Sequence, residues 1–178
     1  RLDLRALMRR ITGLKLASQQ EKNRLHSVSQ SAELTPLVRQ DIQSHLVQLH
    51  RHVEKLEQRA VAIVEADPEL ARKFRHLVSV RGIARVSALH ILAELVVLAP
   101  DMTARQWVAH AGLDPRHHDS GTSIHKPARI SRAGNRYLRA ALFMPALVAT
   151  QHDPNIGAFY QKLVDRGKTK MQAIVAVM

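Results

Sequence analysis

From Leu4 onward the apolar residues of this chain step by three and four: Leu4, Leu7, Ile11 and Leu14, then Leu25 and Val28. Ser18 and Glu21 break the series. The spacing predicts one long helix whose heptad seam carries a polar gap in its middle. Ser27 to Ser31 is a polar interruption, and Thr35-Pro36 reads as an N-cap followed by proline at the first helical position. A second seam follows in Ile42, Leu46, Leu49, Val53, Leu56, Ala60 and Ile63. Two helices of roughly 25 to 30 residues, about 40 Å each, predict an antiparallel helical hairpin. One narrow seam cannot bury itself alone, so self-association as a coiled coil is expected; a helix pair within a globular bundle is the alternative.

Beyond this hairpin the texture changes. Only Gly13 precedes residue 82, and the other six glycines fall between Gly82 and Gly167. Short elements joined by turns are expected there. Asp67-Pro68 opens a helix to about Leu77, and Ala84 to Leu95 forms the next, with apolar residues at Val86, Leu89, Leu92 and Leu95. The turn between them, with Gly82-Ile83, resembles a helix-hairpin-helix, in which backbone N–H groups meet a nucleic-acid phosphate. Ala84 stands where that turn usually has a second glycine, so a simple tight turn between packed helices competes with phosphate binding at Gly82. Thr103 caps a helix from Ala104 to Ala111, with Trp107, Val108 and Ala111 in the core. A loop is expected from Gly112 to about Gly134. Asn135 then caps a helix to about Thr150, with Pro145 kinking it, and Asp153-Pro154 starts another that Gly167 ends. The expected fold is all-α: residues 1–66 as the connector and oligomerisation hairpin, 67–178 as a small helical domain.

Composition limits the function. Lys plus Arg is 27 against 15 for Asp plus Glu, a formal charge of +12, with 46% hydrophobic residues to build a core. The excess points to a polyanionic partner. Aromatics at 3% argue against modules that stack single-stranded bases on aromatic platforms. Cysteine is absent, which removes disulfides, thiolate zinc sites and a cysteine nucleophile and suits a cytoplasmic protein. No run is long and apolar enough to cross a membrane; the richest, Ala88 to Ala99, contains His90 and Glu94.

The charge is concentrated. Between Asp119 and Asp153 there is no acidic residue, while Lys126, Arg129, Arg132, Arg136 and Arg139 are basic. Arg132, Arg136 and Arg139 share the i, i+4, i+7 spacing of one helical face, close to the Asn135 cap. Cations at a helix N-terminus oppose its dipole, and a bound phosphate would resolve the conflict; a solvated basic surface is the alternative. Just before lies Ser120-Gly121, flanked by His117, His118, Asp119, Thr122, Ser123 and His125. Three readings stay open: a serine nucleophile attacking a phosphate held by the arginines, a metal site on His117, His118 and Asp119, or a polar loop. Adjacent residues rarely chelate one ion together, which weakens the second.

Three runs carry a resemblance: Trp107 to Pro115, Asp119-Ser120-Gly121, and Arg129 to Arg139 with Ala133-Gly134-Asn135 at its centre. In this order they resemble the C-terminal domain of DEDD-motif insertion-sequence transposases of the "IS one-ten" and "IS eleven-eleven" type, which are bridge-RNA-guided DNA recombinases. The likeness covers about residues 70–178; residues 1–66 match only in helical character. It implies that Ser120 is the nucleophile, linked covalently to a cut DNA strand before rejoining. It also implies DNA and guide RNA as partners, and a separate RuvC-like acidic domain that holds Mg2+. The four acidic residues of that domain have no counterpart here, so this chain is expected to be a fragment without a metal site and inactive alone. The candidate site is therefore Ser120 with Lys126, Arg129, Arg132, Arg136 and Arg139, plus Gly82, Gly134 and Asn135 for phosphate contact. The competing function is a non-catalytic helix-hairpin-helix module with a dimerising coiled coil; a purely structural coiled-coil protein is a third.

Overall fold

The computed structural model describes residues 1–30, 36–120 and 124–178, and for 117–120 and 124–128 the backbone path alone. The chain divides into two compact units, Arg1–Ala71 and Arg72–Met178.

The first unit pairs α1 (Leu2–Ser29) with α2 (Pro36–Glu65). Lys15 meets Glu57 at 2.7 Å and Glu21 faces His45 at 3.8 Å, so the two helices run antiparallel. Thr35, the expected cap of α2, lies outside the described residues. Leu4, Met8, Ile11 and Leu14 are buried on α1, and Ile42, Leu49, Val53, Ala60 and Val64 on α2. Met8 takes the buried place expected of Leu7, which is only half-buried: the 3.6-residue turn carries the seam past Leu7.

The polar gap also has a structural content. Glu21 is buried on the seam, and one of its carboxylate oxygens accepts from Arg24 at 2.5 Å. Such a pair gives up much of its attraction to desolvation. Glu21→Leu should therefore leave the first unit unchanged or stabilise it by about 1 kcal/mol. Chemical denaturation of the variant measures this, and a clear loss would show that the ion pair holds the seam.

The second unit is helical around one small hairpin. α3 (Pro68–Ser79) leads into it, with Asp67 Oδ1 accepting from the backbone N–H groups of Glu69 and Leu70. α4 (Arg85–Leu95) is its centre: Ala88, Leu89, Ile91, Leu92 and Ala93 are all buried. Val108, expected inside, is exposed, as is Val86. α5 (Ala104–Ala111) carries a full capping box between Thr103 and Gln106. α6 (Arg136–His152), α7 (Pro154–Asp165) and α8 (Lys170–Val177) complete the unit, α4 packing on α6 and α6 on both α7 and α8. Ile91, Ala111 and Leu138 form the core cluster beside the candidate site. Trp107 is half-buried rather than enclosed, its Nε1–H donating to the Met102 carbonyl at 3.0 Å.

The segment expected to be a loop contains two antiparallel strands, β1 (Pro115–Ser120) and β2 (Ile124–Ile130). Arg116 pairs with Arg129 but His118 with Lys126, so β2 carries one extra residue between them. Pro127 falls in this bulge, where a missing N–H is tolerated. Neither strand alternates apolar with polar residues, which is why the pairing is not visible in the sequence. All-α still describes the chain, with this ribbon as its one addition among the described residues.

Candidate functional site

The site is built where the carboxyl end of α5, the root of the hairpin and the amino end of α6 meet. Gly112 ends α5 in the left-handed conformation, φ 66°, and its N–H bonds back to the Ala109 carbonyl. Leu113 N–H reaches the Val108 carbonyl at 3.0 Å, which completes a Schellman-type end. The hairpin is then closed at its root by a double clasp. Ser131 N–H donates to the Asp114 carbonyl at 2.9 Å, and Ser131 Oγ–H donates to Asp114 Oδ1 at 2.5 Å. A lone two-stranded ribbon is marginal in water, so this clasp anchors it. It also gives the Ser131 hydroxyl, a near neighbour of Ser120 in sequence, a structural partner.

Next the chain turns back onto α5. Arg132 N–H reaches the Gly112 carbonyl at 3.1 Å, and Asn135 N–H the His110 carbonyl at 2.6 Å. Gly134 fits because it has no side chain: a Cβ there would lie 2.1 Å from the His110 oxygen and 2.5 Å from Gly112 N. Arg132 has φ 55°, a left-handed backbone that costs a non-glycine residue on the order of 1 kcal/mol. The shared helical face expected of Arg132, Arg136 and Arg139 is therefore not formed. Arg132 precedes the Asn135 cap, and its backbone is used at the hairpin root.

Asn135 is the joint of the site. Its Oδ1 accepts from Tyr137 and Leu138 N–H, capping α6, while its Nδ2 donates to Glu94 Oε2 at 2.6 Å. His110 Nε2 stands 3.5 Å from the same nitrogen. Glu94 is only 3% exposed. Along the sequence Glu94 stands out only as a break in an apolar run. A charged residue inside an otherwise mostly apolar run was the signal that could have found it.

The basic residues divide. Arg139, expected at the phosphate surface, donates through Nη1 to the Ala111 carbonyl at 2.7 Å. The last carbonyls of a helix lack intrahelical partners, and a cation there meets the favourable end of the dipole. Arg129, Arg132 and Arg136 are exposed. Arg136 lies over the Tyr137 ring, 4.9 Å from its centroid, in the first turn of α6. Arg116 was missed by the sequence reading, and the register sets it directly opposite Arg129. Ser120 is the last residue of β1, paired with Ile124, and Lys126 is in β2. Their side chains, and those of His117, His118, Asp119 and His125, lie outside the description, as do Thr122 and Ser123 altogether.

Gly82 has φ 98° in the turn between α3 and α4, and a Cβ there would lie 2.6 Å from the Pro145 carbonyl of α6. Arg81 Nη1 donates to the His152 carbonyl at the end of the same helix, 2.8 Å away. Close packing on α6 is thus one reason for a glycine in this turn. Among the described residues no group of three His, Asp or Glu side chains is arranged to hold a metal ion. No helix among them is long and apolar enough to cross a membrane.

The chain is similar to several known proteins. The chain is 34% identical over 127 residues to the pilin gene-inverting protein of Moraxella bovis, covering 71% of this chain and 39% of that protein. It is 33% identical over 132 residues to an uncharacterized 43.6 kDa protein of insertion element IS110 from Streptomyces coelicolor, covering 74% of this chain and 31% of that one. A probable family 20 transposase of Pseudomonas aeruginosa is 31% identical over 102 residues, 57% of this chain and 29% of its own length. The chain thus spans well under half the length of the curated relatives it matches. Residues 74–161, which include the capped start of α6, the hairpin and its glycine-packed root, match the model of the transposase IS116/IS110/IS902 family.

Proposed function

We propose that this chain is the part of a DNA transposase or recombinase that supplies a serine nucleophile and the cationic surface receiving the DNA backbone. The match of residues 74–161 to a transposase family, spanning the hairpin whose first strand ends in Ser120, is the observation that carries this reading. Exposed Arg129, Arg132 and Arg136, in a span without an acidic residue until Asp153, give it chemical support. Ser120 Oγ attacks the phosphorus of a phosphodiester; the new O–P bond replaces the bond to one bridging oxygen. That oxygen leaves as a hydroxyl after taking a proton, and the serine proton passes to a neighbouring base. Reversal by a different strand's hydroxyl rejoins the DNA and frees the serine. The arginines offset charge on the non-bridging oxygens as the phosphorus is attacked.

Arg139, Asn135 and Gly134 serve this surface from below, by fixing the start of α6 against α5. Mg2+ and the acidic residues that bind it belong in this reading to a separate RuvC-like domain, and a guide RNA selects the target. Protomers pair through the long helices, where Leu2, Leu16, Leu37 and Val47 are exposed. Strand exchange then has two serines at hand.

The test is Ser120→Ala in the complete gene product, with trapping of covalent protein–DNA adducts. Loss of both the adduct and recombination is expected, with DNA affinity retained. An adduct that persists in the alanine variant would end the assignment. Ser131→Ala is the comparison: it should lower stability by loosening the Asp114 clasp, yet still form the adduct.

A further inference from the structure

The register of β1 and β2 brings two cations together that the sequence keeps thirteen positions apart: Arg116 directly faces Arg129. Side chains facing each other in an antiparallel pair stand with Cβ atoms about 5 Å apart, and like charges there destabilise the ribbon. Both arginines are exposed, and neither has an ion pair among the described residues. Asp114, one residue before the strand, directs Oδ1 to the Ser131 hydroxyl. Exposed Arg132 follows at the same root. A repulsion between two residues thus sits on a short hairpin whose root is fixed by hydrogen bonds between Asp114 and Ser131.

From this we propose that Arg116 and Arg129 together clamp one phosphodiester of a DNA strand, a phosphate other than the one Ser120 attacks. This rests on the DNA-recombining reading above for the identity of the ligand. A phosphodiester presents two non-bridging oxygens, and two planar guanidinium forks set opposite each other can take one each. Binding also converts the repulsion between the two cations into a shared attraction. Arg116 is the second residue of the strand that Ser120 ends, four residues on. At about 3.3 Å per residue that is roughly 13 Å. Each DNA strand carries a phosphate about every 3.4 Å along the helix axis, so the clamp and the nucleophile engage different phosphates. The bulge at Pro127 lies between them and sets the turn of the ribbon from one to the other.

Fluorescence anisotropy of the complete chain with labelled duplex DNA, across a salt series, tests the clamp. Arg116→Gln and Arg129→Gln should each raise Kd roughly 3- to 10-fold, as loss of one phosphate contact does. Because both residues serve one phosphate, the double variant should lower the slope of log K against log salt by about 1, not about 2. Lys168→Gln, an exposed cation elsewhere in the unit, should leave that slope unchanged. Melting of the free protein adds a readout that a structural role would move the other way. Arg116→Gln relieves the repulsion and should hold or raise Tm, whereas a residue needed for the ribbon would lower it.

Unchanged Kd in both single variants of a chain that binds DNA overturns the clamp and leaves the Ser120 reading standing. So does an equal loss in Lys168→Gln, or a slope change of about 2 in the double variant. A wild-type chain with no salt-dependent DNA binding overturns both.

Discussion

Asn135→Ala should destabilise the second unit by roughly 3 kcal/mol, the sum of about 1 for a lost N-cap and about 2 for a hydrogen bond to a carboxylate. The same amide group performs both tasks, its oxygen on the Tyr137 and Leu138 N–H groups and its nitrogen on buried Glu94. For a unit of this size that corresponds to a fall in Tm of roughly 10–20 °C, read by thermal unfolding. A loss no larger than a cap alone would show that the Glu94 contact contributes nothing.

Asn135→Asp separates the two tasks. Aspartate keeps the cap but turns a carboxyl toward Glu94 where the amide stood 2.6 Å away. Two facing carboxyls must share a proton, so this variant binds more protons folded than unfolded. Its stability is then present at low pH and lost as pH rises through the ionisation of the pair. A stability curve that instead fell toward acid would place the two side chains apart.

Gly134→Ala should cost the second unit about 3 kcal/mol, the upper end for forced overpacking. The added methyl meets backbone on both sides, the His110 oxygen at 2.1 Å and Gly112 N at 2.5 Å, and backbone cannot swing aside as a side chain tip does. Relief requires α5 and the start of α6 to separate, which breaks the Asn135–His110 backbone bond. On the proposed DNA-binding function, DNA affinity should fall with stability, since exposed Arg132 and Arg136 flank this contact. Thermal unfolding of the alanine variant decides the matter. A Tm within a degree or two of wild type would mean that α5 and the α6 start are not packed as described.

Local signals along the chain located the helices from α1 to α7, but not α8, whose capping box between Thr169 and Gln172 went unread. Asp67, Thr103, Asn135 and Asp153 each accept from backbone N–H groups at the start of a helix, because a capping oxygen and the donors it satisfies are neighbours in sequence. The hairpin lacked any such signal, since His117, His118 and Asp119 alternate with nothing apolar. The basic span after Asp119 was legible as a surface, but its division was not. Arg139 turns to a helix end that begins far back in the chain, and Arg116 joins the group only through strand register. Ser120 stood out by resemblance alone; no spacing rule separated it from Ser131, whose clasp with Asp114 spans the whole hairpin.

By itself, the sequence determined the elements whose energetics are short-range: two long amphipathic helices, then capped short ones, and a cationic stretch free of carboxylates. Periodicity, caps and charge act between residues one to four positions apart, so they can be read along a line. The tertiary structure decided which cations face outward, why Gly134 and Gly82 cannot carry a side chain, and that Glu94 is tied to Asn135. Those outcomes depend on the approach of segments tens of residues apart, where steric exclusion and hydrogen-bond satisfaction act through space and leave no period in the chain.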